Sequence, residues 1–285
     1  MTQTAESPLT EAGVLSWTQA PGITEGDVVR AGGRIHYVAL GPADGEPLVL
    51  MPKVGGWAAD WRQVALALAD RFRILIIDPP GHGGSVMAGS PPYLQSTLES
   101  AAMIMAALDE LGVERFNVAG NSLGGCIAIA MAALWPDAVK RLALVSVSLA
   151  DRYSREELAK QDAAVRDQFD ANGVPLPRTA AQTARFASFD PRVEAEQALS
   201  RARAGAWVRP TERGVGRMGI SGYLHRIQAP TLLVYGDRGF YTKYEEVGRR
   251  LIPNVTIDHM ADAGSFLHQE KPAETAAMLR AFLTA

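Results

Sequence analysis

Residues 116–134 read FNVAGNSLGGCIAIAMAAL. The apolar run Phe116 to Ala119 predicts a strand, and Ile127 to Leu134, stopped at Pro136, predicts a helix. Between them Gly120-Asn121-Ser122-Leu123-Gly124, with Gly125 following, fits G-x-S-x-G. The spacing has a steric reason. A serine on a tight strand-to-helix turn needs small residues two before and two after it, so that the neighbouring backbones approach closely. Its hydroxyl then stands at a helix N-terminus, where the dipole favours developing negative charge.

Upstream, Leu48 to Met51 (LVLM) and Ile74 to Ile77 (ILII) are short continuous apolar runs, the pattern of strands buried on both faces of a parallel sheet. A crossover helix is expected over Trp61 to Leu68, and a second over 94–111, with Leu94, Leu98, Met105, Leu108 and Leu111 on one face and Gly112 as the stop. Alternation from Val28 to Ala39 around Gly32-Gly33 predicts an antiparallel hairpin. Downstream, strands are expected at Leu142 to Val147, Thr231 to Tyr235 and Val255 to Ile257, and helices at 243–251 and 272–283. Strands alternating with helices specify α/β architecture: a mainly parallel twisted sheet flanked by helices. The rhythm breaks over 151–227, where Ala- and Arg-rich stretches alternate with breakers, which predicts a helical cap insertion. The expected division is a polar N-terminal arm over 1–25, a core from 26–150 and 228–285, and the insertion between them.

The 285 residues are 47% hydrophobic and 21% charged, with 28 Lys plus Arg against 31 Asp plus Glu and no long run of either sign. That balance argues against nucleic acid as a partner. The longest apolar stretch, CIAIAMAALW at 126–135, is well short of a membrane span. No basic-then-apolar leader opens the sequence, so the expected compartment is cytoplasmic. The single cysteine, Cys126, excludes an intrachain disulfide and a multi-cysteine metal site, and the five histidines lack zinc-helix spacing. No metal and no cofactor is expected, for there is no G-x-G-x-x-G after a strand and no Walker loop. The expected partner is a small-molecule substrate, and a homodimer is an allowed assembly.

From Val28 onward the chain resembles the α/β-hydrolase superfamily. DPPGHGGS at 78–85 looks like the loop after that family's fourth strand, Ala229-Pro230-Thr231 with LLVYGDR like the strand before its acid loop, and ADAGSFLHQEKP at 261–272 like its histidine loop. GNSLGG is close to the elbow of the carbon–carbon bond hydrolases and is shared with many esterases. Of the four catalytic elements the resemblance implies, only Ser122 matches. Ser265 stands where the histidine base is expected, and Gly239 where the carboxylate is expected. Pro52-Lys53 replaces the usual His-Gly at the start of the oxyanion loop. Loss of the base alone costs on the order of 10⁶ in rate in a serine triad.

The oxyanion hole uses backbone N–H groups, here those of Leu123 and Val54, and survives such losses. Replacement proton carriers are His268, Asp237 and Lys53, the last as a desolvated base beside the elbow. Each has a plainer reading: a packed helix-start histidine, an exposed turn aspartate and a solvated lysine. His82, in the G-H-G loop, is expected to support the site. Trp57, Ser265, Phe266, Tyr223 and Phe240 are expected to line a substrate pocket, with Trp61, Phe186, Phe189, Trp207 and Met218 as further aromatic or Met candidates. The reading is an enzyme acting on a small, partly apolar carbonyl compound (ester, lactone or diketone), with Ser122 as nucleophile or hydrogen-bond donor. Two alternatives stay open: a lyase, isomerase or cyclase using the same pocket, and a catalytically silent ligand-binding protein.

Overall fold

The computed structural model describes residues 9–285 except 31, 152, 185 and 187–189, and Phe189 therefore lies outside the described residues. Among the described residues nine strands form one sheet: β1 (Ile23–Arg30), β2 (Gly33–Leu40), β3 (Glu46–Met51), β4 (Phe72–Ile77), β5 (Val86–Met87), β6 (Phe116–Asn121), β7 (Val139–Val145), β8 (Thr231–Gly236) and β9 (Val255–Met260). Their order is β1-β2-β4-β3-β6-β7-β8-β9, with β5 paired to β2. β1, β2 and β5 run antiparallel to their partners, and every pairing from β4 to β9 is parallel. The order reverses between β3 and β6. In open α/β sheets that is where crevices form beyond the carboxyl ends of the strands.

The LVLM and ILII runs behave as strands buried on both faces should. Val49, Met51, Leu75 and Ile77 face one apolar cluster, and Leu48, Leu50, Ile74 and Ile76 face the other. The first cluster is closed by α3 (Thr97–Glu110) and α4 (Leu123–Leu134), the second by α2 (Arg62–Leu68) and α12 (Pro272–Thr284). Among the described residues no helix is long and apolar enough to cross a membrane.

Between β7 and β8 the chain forms α5 (Arg155–Ala164), α6 (Ala180–Ala184), α7 (Pro191–Ala204), α8 (Val208–Met218) and α9 (Ser221–Leu224). The helix α7 is tied to the core by a two-pronged pair in which Arg62 donates from Nη1 and Nη2 to Glu196, both at 2.7 Å.

Three boundaries differ from expectation for local reasons. Ser146 sits at φ 51°, so β7 stops at Val145, short of Val147. Ser96 is extended (φ −69°, ψ 135°), so α3 starts at Thr97, after Leu94. The described part of the supposed arm is ordered: α1 (Glu11–Leu15) is capped by Thr10, Val14 is buried beside Trp57 and Ala59, and β1 begins at Ile23. A five-residue helix with one buried side chain leaves no periodicity to read.

Candidate functional site

Ser122 lies between β6 and α4 at φ 50°, ψ −112°, a conformation that L-residues rarely hold. The flanking glycines explain how the turn closes. A Cβ on Gly120 would lie 2.3 Å from the Gly124 carbonyl carbon, and one on Gly124 only 2.1 Å from the Met51 oxygen. The Asn121 amide donates to the Val145 oxygen at 2.7 Å and to the Ser265 oxygen at 3.0 Å, tying the turn to β7 and to the loop after β9. Leu123 is the first residue of α4, so its N–H has no acceptor within the helix. The Ser122 hydroxyl meets the Tyr241 hydroxyl at 3.2 Å, and either can be the donor.

The loop after β3 runs alongside. A turn with Gly56 N donating to the Lys53 oxygen at 3.0 Å carries Gly55 at φ 68°. A Cβ on Gly55 would come within 2.7 Å of the Arg201 side chain, so this glycine is needed for both its backbone angle and its neighbour. Lys53 is buried and donates to Asp60 at 2.6 Å, while Gln269 donates to the other Asp60 oxygen at 3.3 Å. Burial pushes the Lys53 ammonium down and the Asp60 carboxyl up from their ordinary values, and their contact opposes both shifts.

These elements enclose a cavity of about 180 Å³. Ser122, Lys53 and Val54 come from the sheet loops, Tyr241 and Phe266 from the loops after β8 and β9, and Arg178, Phe186, Arg201, Glu212 and Val215 from the segment between β7 and β8. A larger cavity of about 470 Å³, walled by Arg166, Arg209 and Pro210, contains no elbow residue. Size is therefore not what marks the site.

Of the sequence candidates, Ser122, Lys53, Val54, Phe186 and Phe266 meet at this cavity, and Leu123 follows the serine as the first residue of α4. The others lie apart from it. His268 is buried with its ring stacked on Trp61, centroids 4.4 Å apart, and neither ring nitrogen has a partner among the described residues. Burial, with a smaller contribution from Lys53, holds it well below the usual histidine range, so the ring is neutral. Asp237 is exposed and accepts from the Ala263 N–H at 3.2 Å. Ser265 is fully buried, its Oγ accepting from the Phe240 N–H at 3.0 Å and its own N–H donating to the Phe186 oxygen at 2.9 Å. Trp57 lines a separate pocket with His36 and Asp78, and Phe240 a neighbouring one with Tyr153 and Tyr244. Tyr223 packs against the core. His82 is buried, with Nδ1 3.0 Å from the Pro80 oxygen, and burial pushes it down to about 4.

Sequence reasoning missed Tyr241, Arg178, Arg201, Glu212 and Asp60. Tyr241 stands two residues beyond the empty acid position at Gly239, next to Phe240, and the letters do not separate the two. Arg201 lies in the Arg-rich run of α7, and Arg178 directly after the breakers Pro175 to Pro177. No local signal separates a cavity-facing arginine there from an exposed one.

A family model described as alpha/beta hydrolase fold matches residues 46–272. Among curated proteins, a 2-hydroxy-6-oxononadienedioate/2-hydroxy-6-oxononatrienedioate hydrolase of Paraburkholderia phymatum is 37% identical over 119 residues, 39% of this chain and 39% of that protein. The dihydrolipoyllysine-residue acetyltransferase component of an acetoin cleaving system of Pseudomonas putida is 35% identical over 116 residues, 40% of this chain and 30% of that protein. The chain thus matches well under half the length of either relative. Among solved structures, a putative lipase from Acinetobacter baumannii superposes with a TM-score of 0.79 at 19% identity, covering 99% of this chain and 98% of that one. At that identity the likeness concerns the fold alone. The family model covers most of the sequence, including the elbow, and the chain belongs to the alpha/beta hydrolase fold family.

Proposed function

We propose that the chain is an enzyme acting on a small carbonyl compound, an ester, lactone or diketone, with Ser122 as nucleophile and Tyr241 as its proton partner in place of histidine. The observation that carries this reading is the 3.2 Å contact between the two hydroxyls, made at a strained elbow inside a cavity. A substrate carbonyl oxygen would sit against the Leu123 and Val54 N–H groups, as an oxyanion hole requires. Ser122 Oγ then bonds to the carbonyl carbon and its proton passes to the Tyr241 oxygen. The phenol so formed gives that proton to the leaving group as the bond between the carbonyl carbon and the leaving group breaks, and water, deprotonated in turn by Tyr241, releases the acyl group from Ser122. Arg178 shares the cavity and is near enough to interact electrostatically with an ionised Tyr241. The position of His268 against Trp61 supports a tyrosine in this role, because that imidazole is occupied in packing.

A fluorophosphonate probe, read by intact mass, tests the reading. The expected result is an adduct that Ser122→Ala abolishes and Tyr241→Phe slows by roughly 100-fold. A phenol as base further predicts a labelling rate that climbs about tenfold per pH unit from pH 7 to 9, where an imidazole would level off near 7. Unchanged labelling in Tyr241→Phe removes the tyrosine from the mechanism. A folded chain that forms no adduct but turns over a carbonyl substrate favours the second reading, a lyase, isomerase or cyclase. There the two hydroxyls donate to an enolate oxygen, a role that their mutual hydrogen bond equally supports.

A further inference from the structure

Other partly or fully buried cations meet their carboxylates directly: Lys53 and Asp60 at 2.6 Å, Arg62 and Glu196 at 2.7 Å. The two arginines of the Ser122 cavity do not. The Arg201 side chain is only 11% exposed, yet among the described residues it donates no hydrogen bond, and its nearest carboxylate, Glu212, is 4.0 Å away. Arg178, 14% exposed, gives one hydrogen bond among the described residues, to Gln197 Oε1 at 2.6 Å, and stands 3.8 Å from Glu194. A guanidinium has five N–H donors and cannot shed its charge as a lysine can, so leaving most of them without acceptors in a confined space is costly. Phe186 and Phe266 stack on Arg178 at 5.2 and 6.0 Å, which holds its plane in place without filling its hydrogen-bonding edge. Gly55 has no side chain where Arg201 passes, so the loop after β3 is built to admit this arginine. The same two arginines also wall an outer cavity of about 460 Å³, which puts them between that space and Ser122.

We propose that Arg178 and Arg201 form a carboxylate-binding subsite, and that the substrate is a small carbonyl compound that itself carries a carboxylate. This rests on the reading of Ser122 as the reacting centre. The carboxylate supplies the acceptors that the two guanidinium groups lack, and its carbonyl end lies toward Ser122 and the Leu123 N–H. Burial, followed by the charge of Arg201, holds Arg178 down to about 10, while burial pushes the Glu212 carboxyl up. The fall at Arg178 has the sign expected of two like charges held together in a confined space, whereas at Glu212 burial outweighs the opposing pull of Arg201, Arg209 and Arg178.

Isothermal titration with 4-oxopentanoate and its neutral isostere 4-oxopentanamide tests the subsite without depending on turnover. The acid is expected to bind the intact chain at least tenfold more tightly than the amide. Arg201→Gln and Arg178→Gln should each bring the two ligands to within about twofold of one another. Glu212→Gln, which removes the competing carboxylate, should tighten the acid and leave the amide unchanged, so a folding defect in the arginine variants would not hide the answer. Ser122→Ala should keep the preference. Absence of a fluorophosphonate adduct on the intact chain, with the acid preference kept, would therefore strike the nucleophile role and spare the subsite. Equal affinity for acid and amide, no binding of the acid, or a preference that survives both arginine substitutions would overturn the subsite itself.

Discussion

Ser122 holds a backbone conformation that glycine would hold with less strain, and such strain is stored at reacting centres at a cost of about 1–3 kcal/mol. Ser122→Ala and Ser122→Gly both remove the hydroxyl, so their difference isolates the backbone. The glycine variant is expected to be the more stable by about 1 kcal/mol in urea titration, and equal midpoints would show a relaxed turn. Restoring the family's customary letters is expected to fail for related reasons. Ser265 is fully buried and its Oγ serves the Phe240 N–H, while a Cβ on Gly239 would lie 3.0 Å from the Gly264 oxygen. The double variant Ser265→His, Gly239→Asp should lose about 1–3 kcal/mol by overpacking, read as a lower melting temperature with no faster probe labelling. The elbow was legible in five letters because its constraint is local: small residues spaced around one serine. Tyr241 was not, because nothing in the string says which of Phe240, Tyr241 and Tyr244 points toward that serine.

At the level of single elements, the loop after β3 is organised by the Lys53–Asp60 pair, whose two members are seven residues apart and both buried. Asp60→Ala leaves an ammonium buried without its partner and is expected to cost about 3–5 kcal/mol, measurable by urea denaturation. The double variant Lys53→Met, Asp60→Ala should recover much of that loss. A double variant no more stable than the single one would mean that the pair contributes little beyond packing. The position of Lys53 after a buried strand was readable, whereas its burial was not, because burial of a charge depends on a partner that the intervening turn brings back. The helices between β7 and β8 illustrate the same limit. α7 and α8 were expected as part of a helical insertion, and their polar composition gave no sign that Arg201 and Glu212 turn toward a cavity.

Over the whole molecule, two histidines are buried in their neutral form. His82 titrates in water near 6.5 and in the folded chain near about 4, and His268 is likewise held well below its usual range. Between those two values the unfolded chain binds more protons than the folded one, so stability rises with pH through that window and is lost on acidification. His82 alone accounts for a loss on the order of 3 kcal/mol by pH 4. The melting temperature should fall steadily from pH 7 to 4.5 and fall less in His82→Gln relative to its own value at pH 7. A variant that follows the wild-type slope would contradict this account. The sequence by itself determined the α/β class, the buried strands and the elbow, since short apolar runs, helical spacing and glycine sterics act within a few neighbouring residues. Tertiary structure alone decided which side chains meet Ser122. β3, β6 and β8 end at the same edge of a sheet, β3 beside β6 and β8 one strand further on, and so bring Lys53, Ser122 and Tyr241 together from positions up to 188 residues apart. Arg178 reaches the same cavity from the loop before α6 and Arg201 from α7, and neither stretch marks its arginine in the sequence, because orientation toward the sheet is a property of packing.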